Sequence, residues 1–278
     1  MFDTQKKIVS TVVVLLAFAV GSCGKSDSPV PEMEAWVKVK GGKVNKINAT
    51  INEWGGTLIH MAAEEGRLDV LAWLKERGAD INAKTHLGWT PMHIAVMNGQ
   101  IEAMAWLKGQ GADINAKDNN GWTPMHSAIA GGHIEAMKAV KWLKEQGADV
   151  NAEALFGVRP MHVAAQMGRV EAMEWLKGQE GVQVSVRSNN GWEPMHWAAV
   201  ENQIAAIAWL QEQGADVNAR DNNGRPPMYS AATIGAVDAM KWLKDHGADI
   251  NAKDNKGETP LAFANDAAKK WLLANGAK

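Results

Sequence analysis

A six-residue motif recurs at a nearly fixed spacing, and it constrains this chain more than any other feature. The motif reads GWTPMH at residues 88–93, and close copies occupy 121–126, 157–162 and 191–196. Weaker copies begin at Gly55, Gly224 and Gly257, so that successive motif glycines are 33, 33, 36, 34, 33 and 33 residues apart. A period of this length predicts a solenoid of stacked units, in place of the two separate domains that 278 residues would otherwise favour.

Each repeat has the sequence signals of two short helices followed by a loop. In the second repeat, Thr90 is a residue type that caps a helix, and the fixed φ of Pro91 suits the first helical turn. Asn98-Gly99 ends this helix, and a second helix is predicted from about residue 101 to 110. The loop at 112–121 is rich in Asp, Asn and Gly, which predicts a hairpin-like turn that projects from the helix pair.

A second signature lies in the same frame as the first. Gly-Ala-Asp, followed by Ile or Val and then Asn-Ala, occupies residues 78–83, 111–116, 147–152, 214–219 and 247–252. Two motifs that stay in register over residues 49–278 resemble the ankyrin repeat. The resemblance implies an all-α solenoid of six to seven repeats, each a helix-turn-helix unit with a projecting β-turn loop.

Some repeats depart from the pattern. The third repeat has three additional residues within 137–142, which predicts an extended or bulged second helix. The last repeat is short and rich in lysine, as a solvated terminal cap requires. At the other end, residues 33–48 are predicted to form an N-terminal capping half-repeat, in which 34–37 belong to a decayed second helix.

The first 22 residues have the layout of a signal peptide. Two lysines precede an uncharged, mostly apolar run at residues 8–20, and its 13 residues are fewer than the roughly 20 of a membrane-spanning helix. Residues 20–23 (VGSC) resemble the lipobox of bacterial lipoproteins, in which small residues precede a cysteine that is lipidated and becomes the mature N-terminus. Cys23, the only cysteine, is therefore the predicted lipidation site. Ordinary secretory cleavage and an uncleaved anchor are the alternatives.

The lipobox resemblance also implies a location in the cell. Gly24 follows the cysteine at the position where an aspartate, in enteric bacteria, favours retention in the inner membrane. We therefore predict attachment to the bacterial outer membrane, facing the periplasm, with residues 23–32 as lipidated end and flexible tether. Met33 lies just beyond the tether, where a second translation start would give an unlipidated cytosolic form.

The composition excludes several classes of function. The 29 Lys and Arg residues are balanced by 31 Asp and Glu, so the chain lacks the positive surplus of a nucleic-acid binder. A single cysteine excludes disulfide frameworks and thiolate zinc sites. The sequence also lacks a Gly-rich phosphate loop, an HExxH motif and a nucleophile elbow. We predict a non-enzymatic monomer without cofactor or metal.

The motif histidines stand at one equivalent position in successive repeats, namely His60, His93, His126, His162 and His196. A row of imidazoles is compatible with metal binding, but the ankyrin resemblance implies that each histidine hydrogen-bonds between neighbouring turns. Tyr229 and Ala262 occupy this position in the last two repeats, which argues against a chain of metal ligands.

The 13 tryptophans fall into two groups. One group precedes a leucine in each second helix and is predicted to pack in the core: Trp73, Trp106, Trp142, Trp175, Trp209, Trp242 and Trp271. In ankyrin folds the turns and first helices line a concave groove, and apolar residues at these positions are the predicted partner-binding set: Trp54, Leu87, Trp89, Met97, Trp122, Leu155, Phe156, Met167, Trp192 and Trp197. The alternative is that the turn tryptophans pack sideways against neighbouring turns.

These resemblances imply a binding function for a protein partner. Ankyrin-like lipoproteins occur among immunity proteins that neutralise phospholipase effectors of type VI secretion systems, and this is the role we predict. A periplasmic scaffold or chaperone that supports a resident enzyme, such as a catalase, is the alternative. An effector that acts in a eukaryotic host is disfavoured, because lipidation would retain the chain.

Overall fold

The computed structural model describes residues 29–43, 45–131 and 134–278. The predicted signal peptide and the predicted lipidation site Cys23 lie outside the described residues. Within the described ranges the regular elements are helices, and no strand is formed. No helix of these ranges is both long and apolar enough to cross a membrane.

Seven helix pairs follow one N-terminal helix, α1 (Pro29–Val39), in the described part of the chain. The first helices of the pairs are α2 (Leu58–Glu65), α4 (Pro91–Met97), α6 (Pro124–Gly131), α8 (Pro160–Gln166), α10 (Pro194–Val200), α12 (Pro227–Ile234) and α14 (Pro260–Phe263). The second helices are α3 (Leu68–Glu76), α5 (Ile101–Gly109), α7 (Ile134–Glu145), α9 (Val170–Lys177), α11 (Ile204–Glu212), α13 (Val237–Asp245) and α15 (Asp266–Ala274).

The pairs stack into a curved solenoid. Each first helix packs against its own second helix and against the first helix of the next repeat. The first helices of neighbouring repeats contact each other more extensively than the second helices do. This difference places the first helices and the hairpins that precede them on the concave side, as the ankyrin resemblance implied.

The motif methionine forms the centre of the core in successive repeats. Met92 lies one residue after the helix-starting proline and is 0% exposed, and Met125, Met161, Met195 and Met228 are at most 2% exposed. Leucines of the second helices, such as Leu107 and Leu143, are buried against them. Burial of each such side chain stabilises the fold by roughly 1.5–3 kcal/mol, so stacking supplies most of the stability of these short helices.

Glycine is required where the hairpins meet. Gly88 has a φ of 81°, which is left-handed. A Cβ atom at this position would lie 2.5 Å from Oδ1 of Asn119 in the next hairpin. The glycine of the motif therefore allows both the turn and the close approach of the next repeat.

The ends of the solenoid and its third repeat show how the sequence departures are accommodated. Helix α7 has 12 residues where α5 has nine, which confirms the prediction of an extended second helix. Helix α1 begins at Pro29, so the structure places residues 29–32, predicted as tether, in a helix. Proline is tolerated in a first helical turn, and Met33 and Val37 bury this helix against the first repeat.

Candidate partner-binding groove

The motif histidines fasten each hairpin to the next one. The backbone N–H of Thr90 donates to Nδ1 of His93 at 3.2 Å, so Nε2 carries the proton of the neutral ring. This Nε2 donates to the carbonyl oxygen of Trp122, one repeat away, at 3.1 Å. The same bridge joins His60 to Trp89, His126 to Val158, His162 to Trp192 and His196 to Arg225. The predicted role of these histidines between neighbouring turns is confirmed.

Burial keeps these rings neutral. It lowers the pKa of His93, His126, His162 and His196 to about 4, and it also lowers the pKa of His60. The imidazoles lie in the core at 0% exposure. Over the described ranges, no group of three or more His, Cys, Asp or Glu side chains is placed to hold a metal ion.

Tyr229 takes over the bridge in the sixth repeat. Its hydroxyl lies 3.1 Å from the carbonyl oxygen of Ala252 and also contacts the carbonyl oxygen of Glu258 in the last hairpin. The backbone N–H of Asp254 donates to the same hydroxyl at 3.0 Å. The hydroxyl of Tyr229 thus replaces the histidine side chain in the hydrogen bond to the next hairpin. This explains why the departure from the motif does not interrupt the stack.

Two turn tryptophans also connect neighbouring hairpins. The indole N–H of Trp89 donates to Oδ2 of Asp118 at 3.1 Å, and that of Trp192 donates to Asp221 at 3.2 Å. Arg225 makes the equivalent contact with Asp254 at 3.0 Å. These side chains are half-buried, so the sideways packing considered as an alternative is part of their role. The sequence signal was an Asp in the following hairpin, 29 residues beyond the tryptophan or arginine.

Trp122 has a different environment from Trp89 and Trp192. The residue at the position of Asp118 in the next hairpin is Ala154, which offers no carboxylate. Like Trp192, Trp122 stacks on the motif histidine of its own repeat: the ring centroids of Trp122 and His126 are 5.9 Å apart, with planes inclined by 26°. The Trp122 side chain is half-buried.

An aromatic cluster lines the groove at the fifth repeat. Trp192 stacks on His196 at 5.9 Å and meets Trp197 edge to face, with ring centroids 5.3 Å apart. Trp197, in α10, also approaches His162 of the preceding repeat at 6.4 Å. These contacts join a turn and a first helix, so both tryptophans predicted here are brought together.

The tip of the fourth hairpin differs from the tips of its two neighbours. Leu155 is 51% exposed and Phe156 is 68% exposed, whereas the neighbouring hairpins have Asn119-Asn120 and Asn189-Asn190 at these positions. Phe156 has a φ of 60°, a left-handed conformation that costs a non-glycine residue roughly 1–2 kcal/mol. The backbone N–H of Asn189 donates to its carbonyl at 2.8 Å, so the tip is held in place by the next repeat.

The other predicted groove residues are less accessible than the sequence implied. We expected an exposed row of aromatic and methionine side chains. Leu155 and Phe156 are exposed, but the remaining eight are half-buried: Trp54, Leu87, Trp89, Met97, Trp122, Met167, Trp192 and Trp197. Contacts with the next hairpin or with the motif histidines cover part of the tryptophan rings of the turns.

The second-helix tryptophans pack as predicted. Trp73 and Trp209 are buried, and the five others are half-buried against the core: Trp106, Trp142, Trp175, Trp242 and Trp271. Arg77 covers the outer face of Trp73, with its guanidinium carbon 4.0 Å from the ring centroid.

Sequence reasoning missed a ladder of asparagine amides on the loops. Asn82 accepts from the backbone N–H of Asp113 at 3.2 Å and donates to the carbonyl of Gly111, both in the next repeat. Asn48 and Asn218 make the same pair of bonds. The recurring Asn of the second signature was the available signal, since its amide can serve one donor and one acceptor at once.

Comparisons with known proteins agree with this architecture. Residues 59–154, 136–221 and 205–278 match the family model described as ankyrin repeats (3 copies). The crystal structure of the human ASB11 ankyrin repeat domain is similar, with a TM-score of 0.64 and 25% sequence identity, over 80% of this chain and 99% of that chain. No curated protein matches. The repeat frame, the stacked helix pairs and these matches together show that the chain belongs to the ankyrin-repeat family.

Proposed function

We propose that this protein binds a partner protein in its concave groove while a lipid on Cys23 attaches it to the bacterial outer membrane. Ankyrin repeats are interaction modules for proteins. The partner we propose is a phospholipase effector of a type VI secretion system, which the protein neutralises in the periplasm. The choice of this partner rests on analogy with ankyrin-like immunity lipoproteins.

The observation that carries a binding role is the tip of the fourth hairpin. Phe156 adopts a left-handed conformation and presents its ring to solvent, at a cost in backbone strain and in exposed apolar area. The two adjacent hairpins have Asn120 and Asn190 at this position, so the stack does not need an aromatic side chain there. Residues of this kind are common as anchors of protein interfaces.

The charge of the groove indicates what it binds. We define the groove centre by five positions in each of repeats two to five: two at the hairpin tip, one after the glycine and two at the end of the first helix. These are residues 86, 87, 89, 97 and 98, then 119, 120, 122, 130 and 131, then 155, 156, 158, 166 and 167, then 189, 190, 192, 200 and 201. Glu201 is the only Asp, Glu, Lys or Arg in this set. A surface with a single charge, three tryptophans and one phenylalanine favours an apolar segment of the partner over a charged one.

The N-terminal sequence supports the proposed location. A short apolar run, small residues and a lone cysteine are the layout of a lipoprotein signal. An inhibitor anchored at the inner face of the outer membrane would meet an incoming lipase at the surface that the lipase attacks.

The experiment is a binding measurement with a purified periplasm-acting phospholipase effector and the chain. In the test variant, Leu155→Asn and Phe156→Asn introduce the residues of the neighbouring hairpins, so the backbone is expected to remain intact. The matched control, Leu68→Gln with Leu273→Gln, changes two exposed apolar residues of second helices outside the groove. We expect at least about a tenfold loss of affinity for the test variant only.

Three results would contradict parts of this proposal. Equal affinity of both variants would exclude the fourth hairpin as the anchor. Absence of lipase inhibition by the native chain would exclude the immunity role. Selective binding of a resident enzyme such as a catalase would support the scaffold alternative instead.

A further inference from the structure

The N-terminal edge of the solenoid concentrates positive charge that the net charge of −2 conceals. Residues 35–52 contain four lysines and no acidic residue. Lys40 forms an ion pair with Glu65 of the first repeat. Lys38, Lys43 and Lys46 are exposed, and none of them forms an ion pair within the described part of the chain.

Two adjoining open concavities combine these lysines into one surface. One concavity, of about 410 Å³, is lined by Lys38, Gly42, Lys43 and Asn45. The other, of about 710 Å³, is lined by residues 45–49 and Arg77. Asn45 lines both, so the two concavities adjoin, and no carboxylate lines either. We name Lys38, Lys43, Lys46 and Arg77 the N-terminal basic surface.

Arg77 is fixed in its place on this surface. Its guanidinium lies over the ring of Trp73 at 4.0 Å, and Nη1 donates to the carbonyl oxygen of Trp73 at 3.4 Å. Glu76 and Asp80 flank Arg77 in the chain but line neither concavity. Arg77 therefore supplies a fourth cationic side chain on the lining of these concavities.

An exposed apolar side chain accompanies these cations. Val39, the last residue of α1, is 82% exposed, the highest value among the exposed large hydrophobic residues of the described ranges. It directly follows Lys38. An apolar side chain among lysines suits the boundary between lipid headgroups and acyl chains, where apolar burial and attraction to anionic lipids add together.

We propose that the N-terminal basic surface, together with Val39, contacts the anionic headgroups of a lipid bilayer. The orientation rests on the proposed function, because a lipid on Cys23 would leave five residues, 24–28, before α1. Five residues span at most about 17 Å, so this end of the solenoid would face the bilayer. The concave groove would then extend away from the membrane toward a partner in the periplasm.

The test is a vesicle-binding measurement with the full chain that carries Cys23→Ala. The readout is the ratio of affinities for phosphatidylcholine vesicles with and without added phosphatidylglycerol, which cancels any contribution of residues 8–20 that all variants share. Lys38→Gln, Lys43→Gln and Lys46→Gln are expected to lower this ratio at least about tenfold. Adding Arg77→Gln is expected to lower it further, and salt is expected to weaken the preference of the parent chain.

The matched control has its changes at the opposite end of the solenoid. Lys253→Gln, Lys256→Gln and Lys269→Gln remove the same charge from exposed positions and are expected to leave the ratio unchanged. An equal loss in both triple variants would show an effect of net charge alone and would overturn the proposal, as would no loss in either. Val39→Ser is expected to weaken binding to the anionic vesicles.

Inorganic phosphate distinguishes a headgroup from a free anion. At matched ionic strength, phosphate in place of chloride is expected to leave vesicle binding unchanged, whereas selective displacement would show a site for the free ion and overturn the lipid assignment. Lipidation is measured separately, by the intact mass of the native protein. Failure of the vesicle test and failure of the proposed anchor are therefore independent results.

Discussion

The indole N–H of Trp89 donates to the carboxylate of Asp118 in the next hairpin, at 3.1 Å. The other carboxylate oxygen of Asp118 accepts from the backbone N–H groups of Asn120 and Trp122, at 2.8 Å each. One carboxylate thus organises its own hairpin and joins it to the preceding one. Burial raises the pKa of Asp118, and these hydrogen bonds oppose that shift.

This arrangement predicts a measurable coupling between Trp89 and Asp118. Asp118→Asn keeps an oxygen for the two backbone bonds but presents an amide N–H to the indole. Trp89→Phe removes the indole donor. We expect a coupling free energy of about 1 kcal/mol in a double-mutant cycle measured by urea unfolding. A coupling near zero would show that the contact does not join the hairpins energetically.

The histidine bridges predict acid sensitivity of the solenoid. Four buried imidazoles have a pKa of about 4 in the folded chain, against 6.5 for a free histidine, so the unfolded chain binds more protons between these values. The contribution of these neutral histidines to the free energy of unfolding is therefore fully present above pH 6.5. It falls as the pH decreases toward 4, by up to about 1.4 kcal/mol per pH unit for each histidine. Urea unfolding at a series of pH values tests this.

A single variant provides the control for that experiment. His93→Gln removes one titrating group and retains an amide that can hydrogen-bond. We expect it to be less stable at pH 7 and to lose less stability on acidification than the native chain. An unchanged dependence on pH would assign the acid sensitivity to other groups.

Two glycines with the same left-handed backbone conformation allow the cost of backbone strain to be measured separately from the cost of a steric clash. Gly88 and Gly78 have φ values of 81° and 82°, but only at Gly88 would a Cβ meet the next hairpin. Gly78→Ala is expected to cost about 1–2 kcal/mol, the penalty of a left-handed non-glycine residue. Gly88→Ala is expected to cost clearly more, because Asn119 must move. If thermal unfolding shows equal losses of stability for the two variants, the close approach of Gly88 to the next hairpin is wrong.

Phe156 predicts opposite effects on stability and on binding. Phe156→Asn should raise the free energy of unfolding by about 0.5–1 kcal/mol, because asparagine tolerates the left-handed conformation better. The same change should weaken binding of the partner. A variant that is more stable and binds more weakly would identify a side chain retained for interaction. A loss of stability would instead give Phe156 a structural role.

Cys23 predicts the location of the protein in the cell. Cys23→Ala should abolish labelling by a radioactive fatty acid and move the protein from the membrane fraction to the soluble or unprocessed fraction. The fold should be unaffected, since Cys23 lies before the first described helix. Persistence of the labelled, membrane-bound form in the variant would exclude lipidation at this residue.

The spacing of the motif, 33 residues in most repeats, determined the architecture from the sequence alone. Each repeat carries its own helix signals and cannot bury its apolar face alone, so the order of elements follows from local pattern. The longer helix α7 was predicted from the three additional residues in that repeat, and the bridging role of the histidines from the resemblance to ankyrin repeats.

The tertiary structure decided how the groove side chains are used. Trp89 and Trp122 occupy the same place in the motif, yet the indole of Trp89 bonds to Asp118, whereas the next hairpin offers Trp122 only Ala154 at the equivalent position. The difference depends on the residue in the adjacent repeat, about 30 positions away. Exposure at Phe156 and the convergence of Lys46 with Arg77 also arise only when repeats stack. Local sequence specifies each unit, whereas accessibility and surface charge are properties of the assembled stack.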